Sequence, residues 1–288
     1  SVERFNPYLH AEYEFSDALT VMAEASYSQT TAHLTALPPR DSSVTILASN
    51  PFIPDVVRTA MGALPSFTIS RLDYDIGLFK VNVTNKTPRL MAGASGKLGG
   101  GWSWDAHVTW AQNDYRQTVP NNRNLTKFRF ATDAVRSGND IVCRATVPGP
   151  SFNAAAAGCV PINLFGNGTP SAAAINYILD TSVATAKYEQ VTAAANLRGS
   201  PFSTWAGPVS IALGAEYRRE KEVVGADAVA AAGLYETSNA APYSGRFNVK
   251  EGYVEAIVPL ARDLPGLRSL DLNGAVRVAG YSTAGTQT

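Results

Sequence analysis

Along this chain, apolar and polar side chains alternate with a period of two in segments that pair through short turns, while the far ends of those segments are separated by long stretches. Side chains on a β-strand point alternately to opposite faces, so each such segment presents one apolar and one polar face. The clearest pair sets Leu90, Ala92, Ala94, Gly96 and Leu98 against Arg89, Met91, Gly93, Ser95 and Lys97. Past Gly99-Gly100-Gly101 it sets Trp102, Trp104, Ala106, Val108 and Trp110 against Ser103, Asp105, His107 and Thr109. The same rule joins Leu9–Phe15 to Leu19–Tyr27, Val191–Leu197 to Val209–Tyr217, and Gly252–Val258 to Leu270–Val278. This pattern predicts roughly eight strands in four hairpins, each near the ~10 residues of a membrane-spanning strand. The fold class it implies is all-β: an antiparallel transmembrane β-barrel segment over residues 1–288, with short periplasmic turns and long extracellular loops.

The long connections are expected from about Gln29 to Arg71, Gln117 to Lys187 and Val223 to Phe247. Tyr13, Phe15, Trp102, Trp104, Phe202 and Trp205 gather beside the short turns, and Tyr27, Trp110 and Tyr217 near the opposite ends, as girdles at two membrane interfaces would. Strand aromatics of a soluble sandwich core are the alternative.

Lys and Arg together number 24, as do Asp and Glu. That balance argues against nucleic acid as a partner, because phosphate binding needs a basic surplus. No run of 18 apolar residues reads as a transmembrane helix, and SVERFNPYLH has no signal-peptide pattern. His10, His33 and His107 are scattered without ligand spacing, so neither a metal nor a cofactor is expected. Gly93-Ala94-Ser95-Gly96 lacks the strand-turn-helix context of a nucleophile elbow, and no phosphate-cradling helix follows Gly99-Gly100-Gly101. No catalytic constellation is left, and an enzyme is not expected.

Cys143 and Cys159 lie close together in a turn-rich stretch. They read as a disulfide stapling an extracellular loop, worth about 3 kcal/mol of unfolded-state freedom for a loop of roughly 15 residues; two unrelated thiols are the alternative. Asp73 and Asp75 read as solvated carboxylates rather than a cation site. Thr169-Pro170-Ser171 before Ala172–Tyr177 reads as a short helix with Thr169 at the N-cap and Pro170 at its first position.

The most specific string runs Asp133-Ala134-Val135, Gly138, Val142-Cys143-Arg144, then Gly158-Cys159-Val160-Pro161-Ile162-Asn163-Leu164-Phe165-Gly166. It resembles an extracellular loop of one large group of TonB-dependent receptors of Gram-negative bacteria, in which two cysteines bracket a variable insert before a CVPxNxFG stretch. Asn50-Pro51-Phe52-Ile53-Pro54, Gly207-Pro208-Val209, Gly214-Ala215-Glu216-Tyr217-Arg218 and Val249–Glu255 fit the same group. The resemblance spans about Asn50 to Tyr281 and implies energised uptake of a scarce nutrient, such as a ferric siderophore, across the outer membrane. The partners it implies are outer-membrane lipid, a plug domain inside a barrel of about 22 strands, the TonB complex acting through that plug, and a small-molecule ligand. Neither plug nor TonB box is found here, and the string Gly285-Thr286-Gln287-Thr288 departs from the usual aromatic barrel terminus, so a barrel portion is the expectation.

Under this reading Arg89, Lys97, Asp105, His107, Glu216, Arg218, Glu255 and Arg277 face the lumen, where they contact the plug or pair along the wall. A passive porin and a secreted β-sandwich binding module are the rival functions. The porin suits the length but would need about 16 strands with shorter connections; the sandwich predicts solubility without detergent.

Overall fold

The computed structural model describes residues 1–36 and 38–287; Leu37, in the first long connection, and Thr288, the last residue of the terminal string, lie outside the described residues. Among the described residues there are 16 strands, not about eight: β1 (Val2–Phe5), β2 (Tyr8–Ser16), β3 (Leu19–Thr35), β4 (Arg40–Leu47), β5 (Ser66–Leu72), β6 (Lys80–Gly99), β7 (Trp102–Arg123), β8 (Ala134–Ser137), β9 (Asp140–Cys143), β10 (Leu179–Gly199), β11 (Ser203–Thr204), β12 (Gly207–Pro208), β13 (Ser210–Ala226), β14 (Tyr243–Leu264), β15 (Leu267–Tyr281) and β16 (Gly285–Gln287). Four short α-helices lie in the connections: α1 (Asp55–Met61), α2 (Leu125–Thr132), α3 (Ala172–Ile178) and α4 (Ala228–Ala231).

One antiparallel sheet of ten strands dominates, in the order β1-β3-β6-β7-β10-β13-β14-β15-β16, with β2 also on β3. The four expected hairpins are present as β2–β3, β6–β7, β10–β13 and β14–β15. The added strands are short. β1 and β16 extend the two edges of the sheet, β11–β12 lies in a turn, and β4–β5 and β8–β9 are hairpins inside the long connections.

The sheet does not close. β1 and β2 form one edge and β15 with β16 the other, with no pairing between them. A barrel therefore is not observed in the described residues; an open, antiparallel, all-β sheet is.

Cross-strand register decides whether the alternations found along the chain belong to one surface. They do. Tyr13 pairs Val21, Val21 pairs Ala94, Ala94 pairs Ala106, Ala106 pairs Ala195, Ala195 pairs Ala215, Ala215 pairs Gly252 and Gly252 pairs Val278. A parallel row runs Gly96, Trp104, Leu197, Leu213, Val254, Val276. Since a slip of one residue would turn a strand's apolar set over, this agreement fixes every apolar face to the same side. Nothing in the described chain covers that side: Leu9, Leu90, Val108, Val254, Leu272 and Val276 are all more than half or about half exposed. A sandwich core is absent there.

The strands are longer than the ~10 residues read from the alternation, with β6 at 20, β7 at 22 and β10 at 21 residues. Past the apolar stretch the ladder continues on polar pairs, which hydropathy does not signal. Asn113 Nδ2 donates to Asn85 Oδ1 at 2.6 Å and to Thr87 Oγ1 at 2.8 Å, and the Tyr115 hydroxyl donates to Gln117 at 2.6 Å. Main-chain pairing holds wherever registers match, whatever the side chains. The short turns all lie at one end. Two residues suffice between Ser16 and Leu19 and between Leu264 and Leu267, and Gly99, Gly100 and Gly101 all take positive φ in the third turn.

The apolar core of the molecule lies in the connections at the other end. Ile76, Phe128, Ala131, Ile162, Leu164, Ala174 and Ile178 form one buried cluster. Ile46, Ile53 and Met61 form a second, with Phe67 and Phe165 packed against it. The first two long connections thus fold together into a cap on the long-loop end of the sheet.

Gly214, on the polar face of β13, shows how side chains knit that face. The Tyr253 hydroxyl from β14 crosses it and donates to Asn196 Oδ1 at 2.9 Å, and Asn196 Nδ2 donates to Asp105 Oδ2 at 2.7 Å. A Cβ at position 214 would clash with both the Tyr253 ring and Asn196. Gly214→Ala is expected to swing Tyr253 away and cost about 1–2 kcal/mol, one hydrogen bond plus strain. Urea unfolding of the full chain checks it, and on a Tyr253→Ala background the same substitution should cost less, only the contact with Asn196 remaining.

Candidate functional site

Lumen-facing residues were expected on one side of the sheet, and register puts Arg89, Lys97, Asp105, His107, Glu216, Arg218, Glu255 and Arg277 on the face opposite the apolar rows. They are spread over β6, β7, β13, β14 and β15 rather than gathered at a point. Most of those with partners pair locally: Arg89 with Glu24 at 2.9 Å, Arg218 with Glu220 at 3.2 Å, Arg277 with Glu251 at 2.6 Å, and Lys97 with Asp17 at 3.9 Å. Asp105 accepts from Asn196. These are cross-strand and same-strand pairs of a wall, each worth little by itself at such exposure.

A denser constellation, which the sequence did not single out, sits in the cap. Arg123 ends β7, and its side chain is only 2% exposed. A guanidinium carries five donors and must have them met when taken out of water. Asp41 takes two in a fork, at 3.0 and 2.7 Å; Asp73 accepts at 2.8 Å; Glu236 accepts from Nε at 3.0 Å and from a terminal nitrogen at 2.5 Å. The flat face of the ion lies 4.1 Å over the Phe128 ring centroid. Asp41 and Asp73 come from the first long connection, Phe128 from the second and Glu236 from the third, so one side chain holds all three.

Arg71 extends the network. It forks both Asp75 oxygens at 2.9 Å, faces Asp73 at 3.2 Å and donates to the Gly166 carbonyl at 3.1 Å. Asp75 also accepts from the Gly168 N–H at 2.7 Å. The expectation of solvated carboxylates at positions 73 and 75 is therefore overturned: the Asp73 side chain is fully buried and that of Asp75 is 10% exposed. Both were drawn in because two arginines needed partners.

The network carries the carboxylates Asp41, Asp73, Asp75 and Glu236 against the guanidiniums Arg71 and Arg123. Burial, then repulsion and a hydrogen bond from Asp41, push the Asp73 carboxyl up to about 7 against the pull of Arg123 and Arg71. Burial also acts upward on Asp75, but the Gly168 N–H and Arg71 outweigh it and hold its pKa below the ordinary value. Among the described residues no group of His, Cys, Asp and Glu is arranged to hold a metal ion.

The strings that carry the family resemblance are internal parts of the cap. Asn50 Oδ1 accepts from Phe52 N at 2.9 Å while its Nδ2 donates to the Thr132 carbonyl at 3.0 Å, tying the first connection to the second. Asn163 repeats the turn, accepting from Phe165 N at 2.9 Å. Asp133 and Arg144 pair at 3.0 Å, and Arg144 reaches Ser49 at 2.5 Å. Cys143 and Cys159 are disulfide-bonded, with Cα atoms 6.2 Å apart. The helix expected after Thr169 is α3, but its N-cap is Ser171, which accepts from Ala174 N at 3.2 Å. Thr169 lies two residues ahead of that cap, its hydroxyl directed to the Asn163 and Gly166 carbonyls at 3.0 and 3.2 Å.

Beside the Arg123 network, β4 and α2 frame an open cleft of about 520 Å³. Phe128 and Leu125 give it an apolar wall, and the edge of β4 away from β5 has no strand partner in the described residues.

No protein-family model matches the chain, and no curated protein matches it.

Two outcomes test this account. Asp73 binds its proton at about 7 in the folded chain and at 3.8 unfolded. The folded state thus holds the extra proton between those values, and cap stability falls as pH rises through that window, levelling off above it. Hydrogen exchange, corrected for intrinsic rates, should show cap amides better protected at about pH 5 than at about pH 8, and Asp73→Asn should flatten the difference. Cys143→Ser should leave the β signal in circular dichroism unchanged while loosening the segment between the cysteines by about 2–4 kcal/mol, read as faster proteolysis there. A large loss of β signal would show the bond to be more than a peripheral staple.

Proposed function

We propose that this chain is a portion of the wall and outer loops of a TonB-dependent receptor in the bacterial outer membrane, serving energised uptake of a scarce nutrient. The observation that carries the reading is the apolar surface of the sheet. Its rows run unbroken across β2, β3, β6, β7, β10, β13, β14 and β15, with no second layer of described chain upon it. In water such a surface would be strongly unfavourable, at roughly 25 cal/mol per Å²; against hydrocarbon it is at home. The other face bears charges, amides and hydroxyls, as the inside of a wide barrel does.

The turns and connections support the same orientation. Short turns belong at the periplasmic ends and long loops outside, and here the long ones fold into a cap stapled by a disulfide, a bond of oxidising compartments. An open sheet edge is not tolerated in lipid. In this reading the edges at β2 and β15 are met by further strands of a larger barrel, which a plug would fill; transport would be coupled to the TonB complex through that plug, with the ligand entering from the cap side. A passive pore of these strands alone fits less well, because ten strands that do not close cannot bound a channel.

Trp102, Trp104 and Trp110 all stand on the apolar face, so they report on what touches it. Reconstituted in vesicles, the full chain should show tryptophan emission strongly quenched by lipids brominated along the acyl chain. Recovery of a monodisperse, folded protein from buffer without detergent, with those tryptophans indifferent to brominated lipid, would end the reading.

A further inference from the structure

The cleft between β4 and α2 is lined by three arginines, Arg40, Arg123 and Arg129, and three carboxylates, Asp41, Asp133 and Glu236, so what it can bind depends on which of them are unpaired. Three carboxylates line it, and each is already committed: Asp41 and Glu236 to Arg123, and Asp133 to Arg144 at 3.0 Å. Arg123 itself is saturated. Two charged groups are left over, Arg40 and Arg129, both exposed on the lining and neither making a side-chain hydrogen bond or ion pair with any described residue. Arg40 stands at the start of β4 and Arg129 on α2, the two elements that frame the cleft.

Phe128, Leu125 and Leu47 belong to the apolar part of the lining. The Arg123 guanidinium, itself on the lining, lies over the Phe128 ring. Ser43 and Thr45 on the unpartnered side of β4 add hydroxyls that no described side chain engages. The volume, about 520 Å³, lies within the roughly 300–1,000 Å³ of small-molecule sites.

We infer that this cleft binds a small organic anion with a flat apolar body, a carboxylate on an aromatic ring system, with Arg40 and Arg129 holding the charge and Phe128 and Leu125 packing the body. Guanidinium groups suit this work because their planar fork matches a carboxylate and because they are weakly hydrated. A neutral ligand of the same shape would leave both cations without partners, and a cation would meet them head on. The inference rests on the transport reading only for what such binding is for; the cleft and its charges stand without it.

The test uses the full chain in detergent, with 2-naphthoate, the neutral 2-naphthamide and 2-naphthylmethylammonium as probes, titrated calorimetrically. Saturable binding of naphthoate, at least tenfold tighter than either other probe, is expected. The double variant Arg40→Gln/Arg129→Gln should lose at least tenfold in naphthoate affinity, and both positions are exposed, so its sheet signal should match the parent. Naphthoate that does not saturate the native chain, equal affinities among the probes, or an unchanged double variant would each overturn the inference. Quenching by brominated lipid is unaffected by these substitutions, so a failure here is distinguishable from a failure of the membrane reading.

Discussion

A guanidinium removed from water is costly unless its donors are met, and Arg123 meets that demand with groups from separate connections. Asp41 is 82 residues away, Asp73 50 and Glu236 113. The contacts of this ion bring β4 and β5, α2, and the segment before β14 into one place, beside the two apolar clusters. Ion networks of this kind give modest net stability, because desolvation consumes most of the attraction. What Arg123 supplies is registration, while burial of Ile46, Ile162, Ile178 and their neighbours supplies the driving force.

The sheet below is held by different means. It has few buried side chains, and its cohesion comes from long antiparallel ladders and from side chains that lie across their neighbours. Trp102 on β7 rests over Gly199 on β10, where any Cβ would enter the indole. Tyr253 lies over Gly214 in the same manner on the other face. In both places a glycine in one strand is the seat for an aromatic ring from the next, so two adjacent strands lock in register without a core between layers. Small residues elsewhere in the apolar rows, Ala94, Ala106, Ala195 and Ala215 among them, keep that surface smooth.

How much of this could be read from the chain follows from the range of each interaction. The alternation is local, so the faces of all eight long strands were legible, and the observed register joins them as one surface. The cysteine pair was legible for the same reason, its members lying 16 residues apart. Arg123 was not, because nothing in Asn121-Asn122-Arg123-Asn124 tells that its side chain is buried, and its partners are scattered. The polar outer ends of β3, β7 and β10, from about Gln29, from about Gln117 and up to about Lys187, were read as loop, since pairing between Asn, Thr and Gln leaves no hydropathic trace. α3 was placed correctly but its cap was not: the helix begins at Ala172, so Ser171 caps it, while the Thr169 hydroxyl is directed to the Asn163 and Gly166 carbonyls.

The residues that carry the family resemblance and the residues free to choose a ligand are different sets. Asn50, Asp133, Arg144, Asn163, Phe165 and the cysteines are spent on contacts within the cap. A change at any of them removes one of those contacts. Arg40, Arg129, Ser43 and Thr45 hold nothing else in place. Exchanging such side chains alters the charge and reach of the cleft while the cap keeps its fold, since surface substitutions away from networks cost little. The internal string therefore fixes the shape of the cap, and the side chains that face the cleft can vary without disturbing it.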